Sequence, residues 1–282
     1  MKPGTPPGVV ARFFKRRSAL VGACFLAVVA IVAIIGPWLR PGDPWEMAGM
    51  PLVWPGAEEG FPLGTDLLGR DVFTGMLHGA RISLIVGVIA AIVAIVVGTA
   101  VGAVGGYYRG WTDAVLVRIT ELVQTIPTFL LTIVLVVVFN PSMTTVIGAI
   151  ALASWPSVAR LVRAEVLSLR ERDFVHAAVT LGMRDVRIIL TQILPAALPP
   201  VIVMGSFMIA TAILTEAGLS FLGLSDPNVM TWGSIIGAGR EALSQAPYLT
   251  AIPGLAITLT VISLSLVGEG LNDALNPRLR ER

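Results

Sequence analysis

Carboxylates set in apolar surroundings are the first residues of this chain that could do chemistry. Glu121, Glu216 and Glu269 lie in or beside long hydrophobic runs, where an ionised group is costly and is functional by default. In an ion-coupled carrier such groups would bind the coupling ion. They also admit a structural reading. Glu121 stands three residues after Arg118 and can pair with it along a helix. Glu216 and Glu269 each fall near one end of a run rather than in its middle. Enzyme motifs are missing. Gly218-Leu-Ser220 and Gly223-Leu-Ser225 lack the closing glycine of a nucleophile elbow. The only lysines, Lys2 and Lys15, follow Met1 and Phe14, so no Gly-Lys pair exists to cradle nucleotide phosphates. The glycine-rich stretch 105–110 lacks that lysine and reads as a helix-end turn at the inner face. A single cysteine, Cys24, permits neither an internal disulfide nor a cysteine metal cluster. The expectation is a chain with no active site, no metal and no cofactor of its own.

The elements that hold these residues are dictated by hydropathy. Of 282 residues, 55% are hydrophobic and 13% charged, against about 25% charged in an ordinary soluble domain. The mean hydropathy is +0.83. Such a chain is neither disordered nor a typical cytosolic enzyme. A membrane helix needs roughly 20 mainly apolar residues, and six runs qualify: 19–39, 82–104, 115–139, 144–162, 196–219 and 250–271. The third and fourth are separated only by Asn140-Pro141-Ser142-Met143. The first is too long for a signal peptide, and Pro37-Trp38 is no small-residue cleavage site. The reading is an all-α integral membrane protein with six transmembrane helices.

Lys and Arg set the orientation. With the N-terminus inside, sixteen of the 20 basic residues fall on the inner side and only Arg40, Arg70, Arg81 and Arg240 on the outer. Both termini are therefore expected in the cytoplasm. The net charge of +2 and the pI near 9.0 reflect inner-face anchoring, not a nucleic-acid patch. His78 and His176 fall on opposite sides and cannot share a metal. Two loops exceed what a helical hairpin needs: an acidic, Pro/Gly-rich outer segment at 40–80 and an arginine-rich inner segment at about 156–195. The chain divides into residues 1–80 (tail, first span and outer loop) and a five-helix core at 81–282 that contains the inner loop.

That inner loop carries the most information. Asp173 is placed to cap a short helix. Phe174, Ala177, Ala178 and Leu181 recur at helical spacing. Gly182 falls where a helix ends in a left-handed turn. Asp185 starts a second helical stretch that Leu194-Pro195 closes. On these residues alone, a hairpin packed on the membrane face and a docking surface for another protein both remain open.

The spacing Ala177-Ala178, Gly182, then Leu194-Pro195 resembles the "EAA" loop of binding-protein-dependent ABC permeases. His176 stands where that loop usually has Glu, and Gln192 where Ile is usual. Phe61-Pro-Leu-Gly-Thr-Asp-Leu-Leu-Gly-Arg-Asp71, Gly79-Ala-Arg-Ile-Ser-Leu84, Glu216-Ala-Gly-Leu-Ser-Phe-Leu-Gly-Leu224 with Trp232-Gly233, and Leu271-Asn-Asp-Ala-Leu-Asn-Pro-Arg-Leu279 resemble the dipeptide/oligopeptide/nickel branch, and within it the "C"-type subunit. The resemblance implies a type I ABC importer permease fold in a bacterial or archaeal plasma membrane. It implies a homologous permease as heterodimer partner, two cytosolic ATP-binding domains or subunits that hold ATP and Mg, and an extracytoplasmic solute-binding protein. Asp173, Phe174, Val175, His176, Ala177, Ala178, Leu181 and Gly182 would form the loop that docks on the ATPase. Glu216, Glu121 and Pro127, the last as a kink in the third run, are the candidates for the pathway or its gate. Short peptides are the expected solute, with nickel or another small solute as the alternative. A self-sufficient ion-coupled carrier is the reading from a different class.

Overall fold

The computed structural model describes residues 9–275. Lys2, Arg278, Arg280 and Arg282 of the charge count, and the 276–279 end of the last motif, lie outside the described residues. Eleven α-helices follow one another, with no β-strand among the described residues. They are α1 (Val9–Lys15), α2 (Arg17–Leu39), α3 (Val72–Tyr108), α4 (Gly110–Gln124), α5 (Thr128–Phe139), α6 (Met143–Arg170), α7 (Asp173–Thr180), α8 (Asp185–Ile188), α9 (Leu194–Phe221), α10 (Trp232–Gly239) and α11 (Tyr248–Leu275).

Five continuous helical segments are long and apolar enough to cross a membrane: α2, α3, α6, Asp185–Phe221 and α11. The third apolar run is broken. Its halves α4 and α5 meet at 81°, and only together do they qualify as a sixth span. Pro127, at the N-terminal boundary of α5, is extended (φ −52°, ψ 129°) and has no N–H to continue a helix. At 15 and 12 residues, the halves are ~22 and ~18 Å long. Tilted equally, the pair covers ~30 Å, the hydrocarbon thickness of a bilayer.

Side-chain contacts sort the helix ends into two faces. On one, Arg16 pairs with Glu269 at 3.0 Å and also with Asp273, joining the start of α2 to the end of α11. There too Arg109 pairs with Glu171 at 2.6 Å, and the Tyr107 hydroxyl donates to Asp185 at 2.9 Å. On the other face the indole N–H of Trp232 donates to the Met76 carbonyl near the start of α3. Asp226 accepts from the Met143 N–H at the start of α6. Donation from the Asn228 backbone N–H, with Met143 adding to it, holds the Asp226 carboxyl below its ordinary pKa. His78 belongs to this second face and His176 to the first.

The core is centred on α3 against α6. Gly98, Gly102 and Gly106 make a stripe that a membrane helix can use for close approach. A Cβ at Gly98 would meet Trp155 O at 2.6 Å and one at Gly106 would meet Arg163 O at 2.9 Å; one at Gly102 would strike Ala159 O. The stripe is spent on packing inside this chain.

Two helices run past the limits that hydropathy set. α3 begins at Val72, not near 82, and α6 continues to Arg170, not to 162. Asp71 caps α3, its carboxylate accepting from the Phe73 and Thr74 N–H groups. The inner segment 156–195 is therefore mostly helix ends. Only the stretch around α7 departs from the spans, because Ile189–Ile193 forms a π-helical turn that joins α8 to α9 without a break.

Candidate coupling surface and pathway residues

α7 projects from the first face on a short tether. Arg172, extended at ψ 147°, is its N-cap, and its carbonyl accepts from the Val175 and His176 N–H groups. Asp173 is thus the first helical residue and not the cap, contrary to the sequence expectation. The tight turn after α6 places the extended residue one position earlier. The Asp173 carboxylate instead sits in the first turn, where the helix dipole favours a negative charge.

The stripe read from the sequence divides between two sides of α7. Val175 and Ala178 point inward and are buried in the α3–α6 core. Phe174, His176, Ala177 and Leu181 are exposed, Leu181 at 81%. Phe174, Ala177 and Leu181 fall on one outward line at i, i+3 and i+7. Gly182 then ends the helix with φ +74°. Its N–H donates to Val179 O at 2.9 Å and that of Met183 to Ala178 O at 3.1 Å, the paired bonds of a Schellman cap. Open space surrounds Gly182, so backbone conformation alone requires glycine. The result is a rigid helix, anchored by two inward side chains, that presents apolar side chains to solvent.

The pathway candidates lie in separate environments. Glu216 on α9 is buried. Its Oε1 accepts from the Ser220 hydroxyl at 2.6 Å, and Ser220 Oγ lies 3.4 Å from Thr231 Oγ1. Its Oε2 has no partner among the described residues. Thr231 closes the N-terminus of α10 in a reciprocal capping box with Ser234. Glu216 therefore sits beneath the junction of α9 and α10. Glu121 on α4 is exposed and pairs with Arg118 at 3.2 Å. Pro127 marks the α4–α5 break.

Sequence reasoning missed α10, which is eight residues long and too short for a span test. It also missed a bidentate pair between Asp113 on α4 and Arg163 on α6, with both bonds at 2.6 Å. The two residues are 50 positions apart, and only the α4–α6 contact brings them together. No group of His, Cys, Asp and Glu among the described residues could hold a metal ion.

Helices long and apolar enough to span a membrane, with a short helix that displays apolar side chains on one face, define an all-α polytopic membrane protein. Comparison with known proteins narrows this further. Residues 94–281 match the model of the binding-protein-dependent transport system inner membrane component, and residues 8–50 that of the N-terminal TM domain of oligopeptide transport permease C. The chain belongs to this family of ABC importer permeases, in its dipeptide/oligopeptide branch. It is 36% identical to the dipeptide transport system permease protein DppC of Haemophilus influenzae, over 99% of this chain and 97% of that protein. It is 39% identical to DppC of Alkalihalophilus pseudofirmus (94% and 88% covered). To the glutathione transport system permease protein GsiD of Escherichia coli it is 37% identical (95% and 89%). A solved inward-facing form of the MetNI methionine ABC transporter shares the fold at a TM-score of 0.58 and 17% identity, covering 70% of this chain and 94% of that one.

Proposed function

We propose that this chain is one of two homologous permease subunits in an ATP-driven importer of short peptides, forming half of the translocation pathway. Six spans, with the bent α4–α5 pair as the third, carry it through a bacterial or archaeal plasma membrane. Both termini lie in the cytoplasm. Two ATP-binding domains or subunits dock beneath it, and an extracytoplasmic binding protein delivers solute to the opposite face. Peptide as solute is supported by the names of relatives that match nearly the whole chain.

The single observation that carries the reading is the outward line Phe174, Ala177 and Leu181 on α7, fixed by the Gly182 cap. Exposed apolar side chains on a rigid helix, rimmed by Arg172 and Arg184, are what a partner cleft buries. ATP binding in the partners moves the cleft, α7 follows as a rigid body, and α6 and α9 tilt with it. The two states differ in contacts, as a ligand-driven switch requires. Replacing Phe174 and Leu181 together by Glu tests this. The variant is expected to co-purify with the homologous permease while losing the ATPases. Full ATPase recovery would overturn the docking role of α7.

A further inference from the structure

Arg160 stands on α6, two residues before the apolar run ends at 162 and ten before the helix ends at Arg170, about 15 Å from that end. It is exposed, and no hydrogen bond or ion pair is formed by its guanidinium among the described residues. Arg163, one turn further on, is fully engaged by Asp113. An unpaired arginine at the end of an apolar run, beside apolar walls, is open to a counter-group from elsewhere.

Arg160 lines a cavity of about 240 Å³ between α4 and α6, together with Thr120, Glu121 and Gln124. The Asp113–Arg163 pair bolts the two walls together and so holds the cavity's shape. Its floor is apolar, with Val101, Leu116 and Val117. The two walls carry opposite charges: Arg160 from α6, and Glu121 from α4. Among the described residues Glu121 forms an ion pair only with Arg118 on its own helix, and both side chains are largely exposed, so that bond is easily exchanged. The volume falls below the ~300–1,000 Å³ of sites for drug-sized ligands and suits a solute as small as a dipeptide. Gln124 ends α4 directly at the break before Pro127, where interrupted helices of transporters carry solute contacts.

We propose that this cavity is a solute-contact site in the inner half of the pathway, in which Arg160 receives the terminal carboxylate of a zwitterionic peptide and Glu121 faces its ammonium group. The inference rests on the peptide-importer reading above. It adds the residue that senses the free carboxyl end.

The test uses the complete complex, with partner permease, ATPases and binding protein, in proteoliposomes. Uptake of a labelled dipeptide is compared with uptake of its C-terminal amide for the wild type, Arg160→Gln and Arg160→Lys. Selection by the binding protein is common to all three and cancels in the ratio. Arg160→Gln is expected to slow uptake of the free acid roughly tenfold, the scale of one lost charge-assisted hydrogen bond. Uptake of the amide should be unchanged, and Arg160→Lys should restore most of the acid-to-amide ratio. Equal loss for acid and amide would overturn the site, assigning Arg160 to assembly with the partner permease. Unchanged uptake of both would also overturn it, leaving Arg160 as an anchor in the inner lipid headgroups. A wild-type complex that assembles, hydrolyses ATP and takes up neither compound would overturn the peptide reading itself, and this site with it.

Discussion

The outer cap and the inner coupling segment are both made of short pieces between spans, yet they are built in opposite ways. The outer segment at 40–71 is tied to itself and to α11. Gly69 O accepts from the Ala48 and Gly49 N–H groups, and Leu52 N–H donates to Asp66 O. The buried Thr65 hydroxyl donates to Met50 O at 2.5 Å and accepts from the Val53 N–H at 2.9 Å. The Tyr248 hydroxyl lies 2.9 and 2.7 Å from the carbonyls of Val53 and Thr65, donating to one or the other. Arg70 stacks on Trp45 at 4.7 Å. Around α7, by contrast, only Val175 and Ala178 are buried, and the apolar side chains between and beyond them face outward. The outer cap satisfies most of its own groups, the buried Arg70 Nε being left without a hydrogen-bond partner among the described residues. The segment around α7 leaves apolar side chains uncovered. On the proposed reading, the difference would put the moving contact at the α7 face and a preformed cap at the opposite one.

The sharpest way to break this contrast is to disrupt the self-contained side. Gly69 has φ +76°, and a Cβ there would strike the Gly49 carbonyl. Gly69→Ala is expected to cost about 2–5 kcal/mol, combining left-handed strain with overpacking. Thermal unfolding of the detergent-solubilised complex should shift down clearly, and transport should fall with it. An unshifted transition would show that the cap is not a rigid unit. The inner side should respond differently. Gly182→Val is expected to abolish most transport while the level of inserted protein stays normal. Gly182→Asn should keep much of the activity, because Asn tolerates the left-handed turn. Normal peptide uptake by the Val variant would remove the coupling role of the cap. The smallest effect belongs to charges that neither region uses. Glu58 and Glu59 are exposed on the outer loop. Replacing both by Gln should leave uptake within about a factor of two, since exposed charges contribute ~0–1 kcal/mol. A severe loss would mean that the outer cap, too, awaits a partner.

Legibility in the sequence followed the range of the physics. Five long apolar helices declared themselves because hydrophobic length is local information, while the third run turned out to be a bent pair. So did Gly182 and the start of α8 at Asp185, since turn and cap chemistry depend on a few neighbouring residues. The extra turns of α3 and α6 were hidden because a helix leaving the bilayer no longer needs to be apolar. Pro127 signalled a break, but an 81° angle is set by packing against α6 and not by the proline alone. The inward and outward halves of the α7 stripe could not be told apart, since periodicity marks a face without saying what covers it. Asp113–Arg163 and Arg16 with Glu269 and Asp273 join residues far apart in the chain, and no spacing rule reaches them. Glu216 was legible as a buried carboxylate, but its Ser220 partner and the α10 helix above it were not.

In the proposed mechanism the gate is moved from the cytosolic side by a motor in other chains. Its most direct test is reconstitution of this subunit with its permease partner and binding protein in liposomes, with and without the ATPases and ATP. Uphill accumulation of labelled peptide is predicted only when both are supplied. Accumulation in their absence, driven by an ion gradient alone, would contradict it.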